Sequence, residues 1–254
     1  MHSLPDARRW PGWHDDSMNE DLPAATDWAD EVQRLLLHGR DREAAEFAAR
    51  HLQGDSVTTT AYIEGDQPMG PVEQLEELGP LLGQVASQLT PADLDAPTPC
   101  SDFAVRGVLG HMIGGATQFA AAFRGTTPAE VPADVADKPD VVDRAGAALG
   151  DLIAAISAPG ALDRTVAAPF GDMPGEAFAR FVVLDGLVHG WDIATSTGQV
   201  YDPSDQLVAE VEAFARQTIA DEMRDGDTFA AEMTAPAGAS PIERLAAFTG
   251  RTVA

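Results

Sequence analysis

From Pro71 onward, apolar residues recur about every three or four positions, which is the spacing of one face of an α-helix. The first such run predicts a helix that Pro80 should kink or interrupt. Its apolar positions are Val72, Leu75, Leu78, Leu82, Val85 and Leu89. A second helix should begin after Pro97-Thr-Pro-Cys-Ser101, with Ser101 as its N-cap. Its apolar face contains Val105, Val108, Met112, Ala116, Phe119 and Phe123, with His111 at the border.

The remaining sequence alternates helical runs with connections. Residues 125–139 are rich in Pro, Thr and acidic residues and are too long for a tight turn, so they predict a crossover. Residues 164–168 and 170–175 predict a short hairpin or an irregular excursion. Further helices are expected at Val141–Ile156, at about 175–197, from Asp202 onward, and from Ser240 to Phe248, where Ser240-Pro-Ile-Glu243 is a capping box. The predicted fold class is therefore all-α.

The chain divides near Met69 into two regions of different composition. Residues 1–68 contain three of the four tryptophans, and the first 24 residues mix Pro, Asp, Gly and Trp without a period, which is typical of poor order. Helical spacing between residues 27 and 53, broken at Gly39, predicts a helical hairpin. We expect 1–68 to be an N-terminal extension, either a docking arm or a product of start-codon choice, and 69–254 to be the main domain.

Charge and cysteine content exclude several classes of protein. The net charge is −25, from 41 acidic and 16 basic residues, so a basic face for nucleic acid is not expected. Cys100 is the only cysteine, which rules out an intramolecular disulfide and fits a reducing compartment, the cytoplasm. The first residues lack the apolar segment of a signal peptide, and no run of about 18 apolar residues exists. We therefore expect no membrane span.

One polar stripe lies on an otherwise apolar helix. Asp185 and His189 are one turn apart, so their side chains share a helix face, and Asp192 continues the stripe. Buried carboxylates and imidazoles are costly unless they are paired or bind a metal. Helical bundles build metal sites from such a pair and a ligand on another helix, and His111 is the candidate for that third ligand. Asp192 is either an alternative ligand or a group that orients His189.

Each of these residues also has a simpler interpretation. A lone Asp-x-x-x-His pair is more often a local ion pair, and a His at a helix border is more often a satisfied core or surface residue. Cys100 precedes a helix, where a thiol pKa can be lowered, although a structural role without redox chemistry is more common. It lies about three helical turns before His111, so we do not expect it to reach the metal. Arg244 and Arg251 face either an anionic substrate or, more commonly for such residues, solvent or a helix end. The sequence has no zincin, Walker or nucleophile-elbow motif.

Four segments together resemble the actinobacterial DinB-like proteins, which are related to mycothiol-dependent maleylpyruvate isomerase. The segments are Thr98-Pro-Cys-Ser-Asp-Phe-Ala-Val105, Val108-Leu-Gly-His-Met-Ile-Gly-Gly115, Leu184-Asp-Gly-Leu-Val-His-Gly-Trp-Asp-Ile-Ala194 and Pro241-Ile-Glu-Arg-Leu-Ala-Ala-Phe-Thr-Gly-Arg251. The resemblance covers about 69–254 and none of 1–68. It implies a four-helix bundle of up-down-down-up topology, with extra C-terminal helices, and a divalent metal, commonly zinc or nickel.

The resemblance also assigns the ligands. His111 matches the first ligand and His189 the last, while Asp185 stands where relatives have Glu or His. Asp is one methylene shorter than Glu, which would either loosen the site or draw the helix closer. The chain has no segment matching the separate C-terminal domain of the isomerase, so the isomerase's substrate is not expected to carry over.

Two classes of function follow from this interpretation. The first is a metal- and mycothiol-dependent transferase or isomerase that acts on a small electrophile, with the thiol taking the open metal position. The second is a non-catalytic metal-binding or protein-interaction module, with the 1–68 extension contacting the partner. Neither class involves nucleic acid or a membrane, and a homodimer remains an open alternative.

Overall fold

A computed structural model describes residues 67–100, 103–168, 171–224 and 229–253. The predicted N-terminal extension 1–68, with its hairpin at 27–53, lies outside the described residues apart from positions 67 and 68. The domain boundary near Met69 therefore stays a prediction.

The described residues form a mainly helical fold with one small antiparallel hairpin, which confirms the predicted helical class. The helices are α1 (Pro71–Ser87), α2 (Val105–Arg124), α3 (Val141–Ile156), α4 (Gly175–Thr197), α5 (Asp205–Thr218) and α6 (Pro241–Phe248). Single 3-10 turns lie at Asp93–Asp95, Val135–Asp137 and Asp221–Met223. Strands β1 (Thr165–Ala168) and β2 (Gly171–Pro174) form the predicted hairpin, with Val166 opposite Met173.

The first helix continues through its internal proline. α1 runs from Pro71 to Ser87 without a break at Pro80, so the predicted interruption does not occur. Pro80 is exposed and lies opposite the buried face of the helix, which contains Leu75, Leu78, Leu82 and Val85 as predicted. Proline has no amide hydrogen, so Pro80 cannot donate the usual helical hydrogen bond to the Glu76 carbonyl. Because Pro80 is exposed, water can reach that carbonyl instead.

The second helix begins later than the sequence predicts. Ala104, rather than Ser101, is the N-cap residue of α2. The preceding segment folds back on itself, because Pro97 and Ala104 form an antiparallel bridge. The amide of Val105 donates to the carbonyl of Ala96 at 3.0 Å, and the Phe103 amide donates to the Cys100 carbonyl at 2.9 Å. Cys100 therefore lies in a tight loop beside the start of α2.

The central element is α4, which is buried on all sides along most of its length. It contacts α1, α2, α5, α6 and both strands, while α2 packs mainly against α3. Two glycines let α1 approach closely. A Cβ at Gly186 would lie 3.0 Å from Leu78 Cδ2, and one at Gly190 would lie 2.7 Å from Leu82 Cδ2.

The last two helices have defined starts. The Ser204 hydroxyl accepts a hydrogen bond from the Leu207 amide at 3.1 Å, so α5 begins at Asp205, within the Asp202-Pro-Ser-Asp205 segment that predicts its start. The predicted capping box of α6 is confirmed, with Glu243 accepting from the Ser240 amide at 2.6 Å. Within the described residues, no helix is both long and apolar enough to cross a membrane.

Candidate metal centre

Three polar side chains from α2 and α4 meet between these two helices. His111 lies in the second turn of α2, and Asp185 and His189 lie one turn apart in the middle of α4. The side chains of His111 and Asp185 are partly exposed, at 17% and 37%, whereas His189 is buried. The structure therefore brings together the three residues that the sequence singled out, with Asp185 on the more open side.

Both imidazoles turn the same ring nitrogen toward one carboxylate oxygen. The Nε2 atoms of His111 and His189 each lie 3.4 Å from Oδ1 of Asp185. The two rings are 4.8 Å apart between centroids and inclined at 67°. One ligand atom from each of the three residues lies within 4.8 Å of the others. This is a compact set of two nitrogens and one oxygen.

The close packing of these groups shifts the pKa values of Asp185 and His189. Burial alone would raise the pKa of Asp185, but His189 and His111 hold the pKa of this carboxyl well below its usual range. Burial alone would lower the pKa of His189, but Asp185 and Asp192 together raise it to about 9. Without a metal, the protein therefore balances the Asp185 charge with a proton on His189.

Asp192 lies behind His189, on the side away from Asp185. Its Oδ2 is 3.0 Å from Nδ1 of His189, and its carboxylate is fully buried. Arg251 donates to the same carboxylate, from Nη2 to Oδ2 at 3.1 Å and from Nε to Oδ1 at 3.4 Å. Both oxygens of Asp192 are thus engaged on the far side of the His189 ring. Although burial opposes ionisation, His189 and Arg251 lower the pKa of Asp192.

Sequence reasoning did not find the role of Arg251 in this arrangement. It favoured a surface or helix-end position, but the guanidinium is only 12% exposed and pairs with Asp192, 59 residues earlier. The surface part of that interpretation is therefore wrong, although Arg251 does lie at the end of α6. Two signals pointed to a partner: Asp192 is a charge on an apolar helix that needs a cation, and Arg251 follows a helix-ending Gly250.

Cys100 also lies closer to the site than the sequence suggested. An α-helix spanning the 11 residues to His111 would separate the two by roughly 16 Å. The chain before α2 instead folds back, and Cys100 Sγ lies within 4.8 Å of ligand atoms of His189 and Asp192. The expectation that Cys100 is remote from the metal site is therefore wrong. Cys100, His189 and Asp192 form a second compact group that shares His189 with the first.

Two further features border the site on the α2 side. The Phe103 ring packs against His111, with centroids 5.8 Å apart and planes inclined at 44°. One turn after His111, a Cβ placed on Gly114 would meet no other atom within 4 Å. His111 thus packs against an aromatic ring from the segment before α2, and one turn further along α2 the space beside Gly114 is open.

Comparison with known proteins shows which family the chain belongs to. Residues 75–194, which include all three candidate ligands, match the family described as Mycothiol maleylpyruvate isomerase N-terminal domain. The uncharacterized proteins Rv0738 and MT0763, from two strains of Mycobacterium tuberculosis, are each 37% identical over 164 residues. That alignment covers 63% of this chain and 86% of each relative. No solved structure matches the chain significantly. The chain belongs to the actinobacterial DinB-like family related to mycothiol-dependent maleylpyruvate isomerase.

Proposed function

We propose that His111, Asp185 and His189 bind one divalent metal ion, zinc or nickel, and that the site serves a mycothiol-dependent transferase or isomerase acting on a small electrophile. The observation that carries the metal site is the convergence of two Nε2 atoms on one Asp185 oxygen, each at 3.4 Å. A cluster of two imidazoles and a carboxylate in the protein interior is costly without a cation or a shared proton.

The donor set fits a divalent ion of this kind. Imidazole nitrogen and carboxylate oxygen are ligands that zinc accepts, and three protein ligands are typical of catalytic zinc sites with an open position. A Glu at position 185, as in relatives, would have a longer side chain than Asp185. The shorter Asp185 still places Oδ1 at the same 3.4 Å from Nε2 of both histidines. Asp192 suits an orienting role, since its oxygens contact His189 Nδ1 and Arg251.

A thiol-dependent function is supported by the family and by access to the site. A divalent ion at this position would lower the pKa of an incoming thiol, so that the nucleophilic thiolate forms near neutral pH. Asp185 is the most exposed of the three candidate ligands, and the space beside Gly114 gives a ligand room next to His111. His189, held by Asp192, would stay fixed while the more open side receives the thiol and its electrophilic partner.

We further propose that the four long helices α1 to α4 form the up-down-down-up bundle of this family and that residues 69–254 are its domain, with 1–68 as an extension. The family match covers α2 and α3 and most of α1 and α4, and the crossover at 125–139 leaves room for parallel neighbours.

Cobalt substitution tests the thiol-dependent function. The cobalt-loaded protein should gain a sulfur-to-cobalt charge-transfer band when mycothiol or a simpler thiol is added, and the His111→Ala variant should not. Cobalt binding without a band for any thiol would contradict the enzyme proposal. That result would favour the alternative, a non-catalytic metal-binding or protein-interaction module.

The Cys100→Ser variant is the matched control, because Cys100 lies near His189. The added-thiol band should persist in this variant. A band that is present without added thiol and disappears in Cys100→Ser would show that Cys100 is the sulfur ligand, contrary to the proposed site.

A further inference from the structure

Helix α6 ends in a backbone motif that directs Arg251 inward. After Phe248, the Gly250 amide donates to the Ala247 carbonyl at 3.0 Å and the Arg251 amide to the Ala246 carbonyl at 2.9 Å. These two bonds are the Schellman motif, which uses a residue of positive φ after the helix. Gly250 has a φ of 95°, and a Cβ there would lie 3.0 Å from Ala230 backbone atoms. The direction of the chain at Arg251 is therefore fixed by glycine.

The helix that carries this motif is itself held firmly. Its capping box fixes the start at Ser240, and the side chains of Arg216 and Arg224 lie over the Phe248 ring at 4.3 Å and 4.7 Å. Arg224 also donates to the Phe248 carbonyl at 3.0 Å. Because α6 is held at both ends, the backbone position from which the Arg251 side chain extends is fixed.

Arg251 meets a buried carboxylate that also contacts His189. Among the described residues, the Asp192 carboxylate lies near His189 Nδ1, the Arg251 guanidinium and the Cys100 thiol, while its backbone carbonyl accepts from the Ser196 hydroxyl. Two nitrogens of the guanidinium donate to the two carboxylate oxygens. This two-point contact fixes the plane of the carboxylate and balances its negative charge. A buried carboxylate without this partner would have to turn or take up a proton.

We propose that Arg251 is a positioning residue for His189. By fixing Asp192 at Nδ1, it holds the ring so that Nε2 faces His111 and Asp185 and remains the coordinating nitrogen. This inference rests on the proposed metal site. It assigns a function to the C-terminal helix α6, which lies outside the 75–194 match.

NMR tests the positioning role of Arg251 directly. The sample is the full chain, loaded with an NMR-active cadmium isotope and labelled at its histidine nitrogens. The wild type should show cadmium–nitrogen coupling to Nε2 of His111 and of His189. In Arg251→Met, which keeps an apolar stem but no charge, the coupling to His189 Nε2 should be lost or should move to Nδ1. The coupling to His111 should persist. Arg244→Ala, in the same helix, should keep both couplings, since the Arg244 side chain bonds only the Ala239 carbonyl in the described contacts.

An unchanged His189 Nε2 coupling in Arg251→Met would overturn the proposal, even if the variant were less stable. If Arg251→Met does not fold, Arg251→Lys is judged by the same coupling, because an ammonium cannot make the two-point contact. Absence of cadmium and zinc binding by the wild type is a separate result, and it would contradict the metal site rather than the role of Arg251.

Discussion

His189 and Asp192 lie one helical turn apart in α4, and Nδ1 of the imidazole is 3.0 Å from a carboxylate oxygen that no solvent reaches. The other ring nitrogen, Nε2, faces Asp185 at 3.4 Å. Because one nitrogen is engaged with a buried carboxylate, the other is the atom left to coordinate a metal. The direction of the His189 ring therefore depends on Asp192.

Asp192→Asn should weaken metal binding without removing any proposed ligand. The amide is neutral and accepts a weaker hydrogen bond from Nδ1, so we expect zinc affinity to fall by about 10- to 100-fold in a competition titration. Asp151→Asn is the matched control, since it breaks a surface ion pair with Arg124, the last residue of α2, which lies about 20 Å along the helix from His111. Its zinc affinity should equal that of the wild type. Equal affinities in both variants would contradict the orienting role of Asp192.

Metal affinity should rise with pH. His189 without metal has a pKa raised to about 9, because its carboxylate partners outweigh burial, and a metal must displace that proton. We expect the apparent affinity to increase about tenfold per pH unit from near-neutral pH until it levels off near that pKa. A competition titration at several pH values, corrected for the chelator, measures this. Affinity that stays flat or falls over the range would show that His189 carries no displaceable proton.

The same shift has the opposite effect on the stability of the metal-free fold. The folded-state pKa of His189 lies above the ordinary value of 6.5, so its ionised pairs stabilise the fold fully below pH 6.5. That contribution is lost as the pH rises through about 9. Metal should therefore raise the melting temperature more in mildly alkaline than in mildly acidic buffer.

A chain that begins at Met69 should fold cooperatively and bind metal. The described core runs from Leu75 to Phe248, and the Met69 nitrogen already contacts both carboxylate oxygens of Glu210 at 3.1 Å. Thermal unfolding and metal content should match those of the full chain. An insoluble or molten product would show that the predicted 27–53 hairpin completes the core.

Gly175→Ala should destabilise the fold by about 1–3 kcal/mol, because it overpacks the start of α4. A Cβ at Gly175 would lie 2.6 Å from the Ala161 carbonyl oxygen and 3.0 Å from that of Leu162, and backbone atoms cannot move aside as a side chain can. Gly83→Ala is the control, since Gly83 is exposed in α1 with no atom within 4 Å of a new Cβ. It should gain about 0.5–1 kcal/mol. Chemical denaturation compares the two, and similar stabilities would contradict the close packing at Gly175.

Local sequence signals predicted the elements well where they act within a few residues. The bounds of α3 and α4 and the capping box of α6 agree with the sequence, because periodicity and caps are local. The start of α2 was predicted too early, since the bridge between Pro97 and Ala104 competes with helix formation there. Pro80 does not interrupt α1, because its exposed position allows water to satisfy the freed carbonyl.

The candidate site was also predictable only in part, because sequence spacing reports contacts within one helix and not the packing between elements. Asp185 and His189 share a helix face by spacing alone, whereas the convergence of His111 depends on how α2 packs against α4. The positions of Cys100 and Arg251 depend on chain reversals, a folded-back loop in one case and a Schellman motif in the other. Neither reversal has a hydrophobic period, so periodicity could not reveal them.

Metal content measured by elemental analysis tests the central claim most directly. Wild-type protein purified without chelator and then loaded with zinc should hold one ion per chain after dialysis. His111→Ala and His189→Ala, each removing one proposed ligand, should hold little or none, while Cys100→Ser should hold as much as the wild type. Equal zinc in the wild type and in His189→Ala would contradict the site formed by His111, Asp185 and His189.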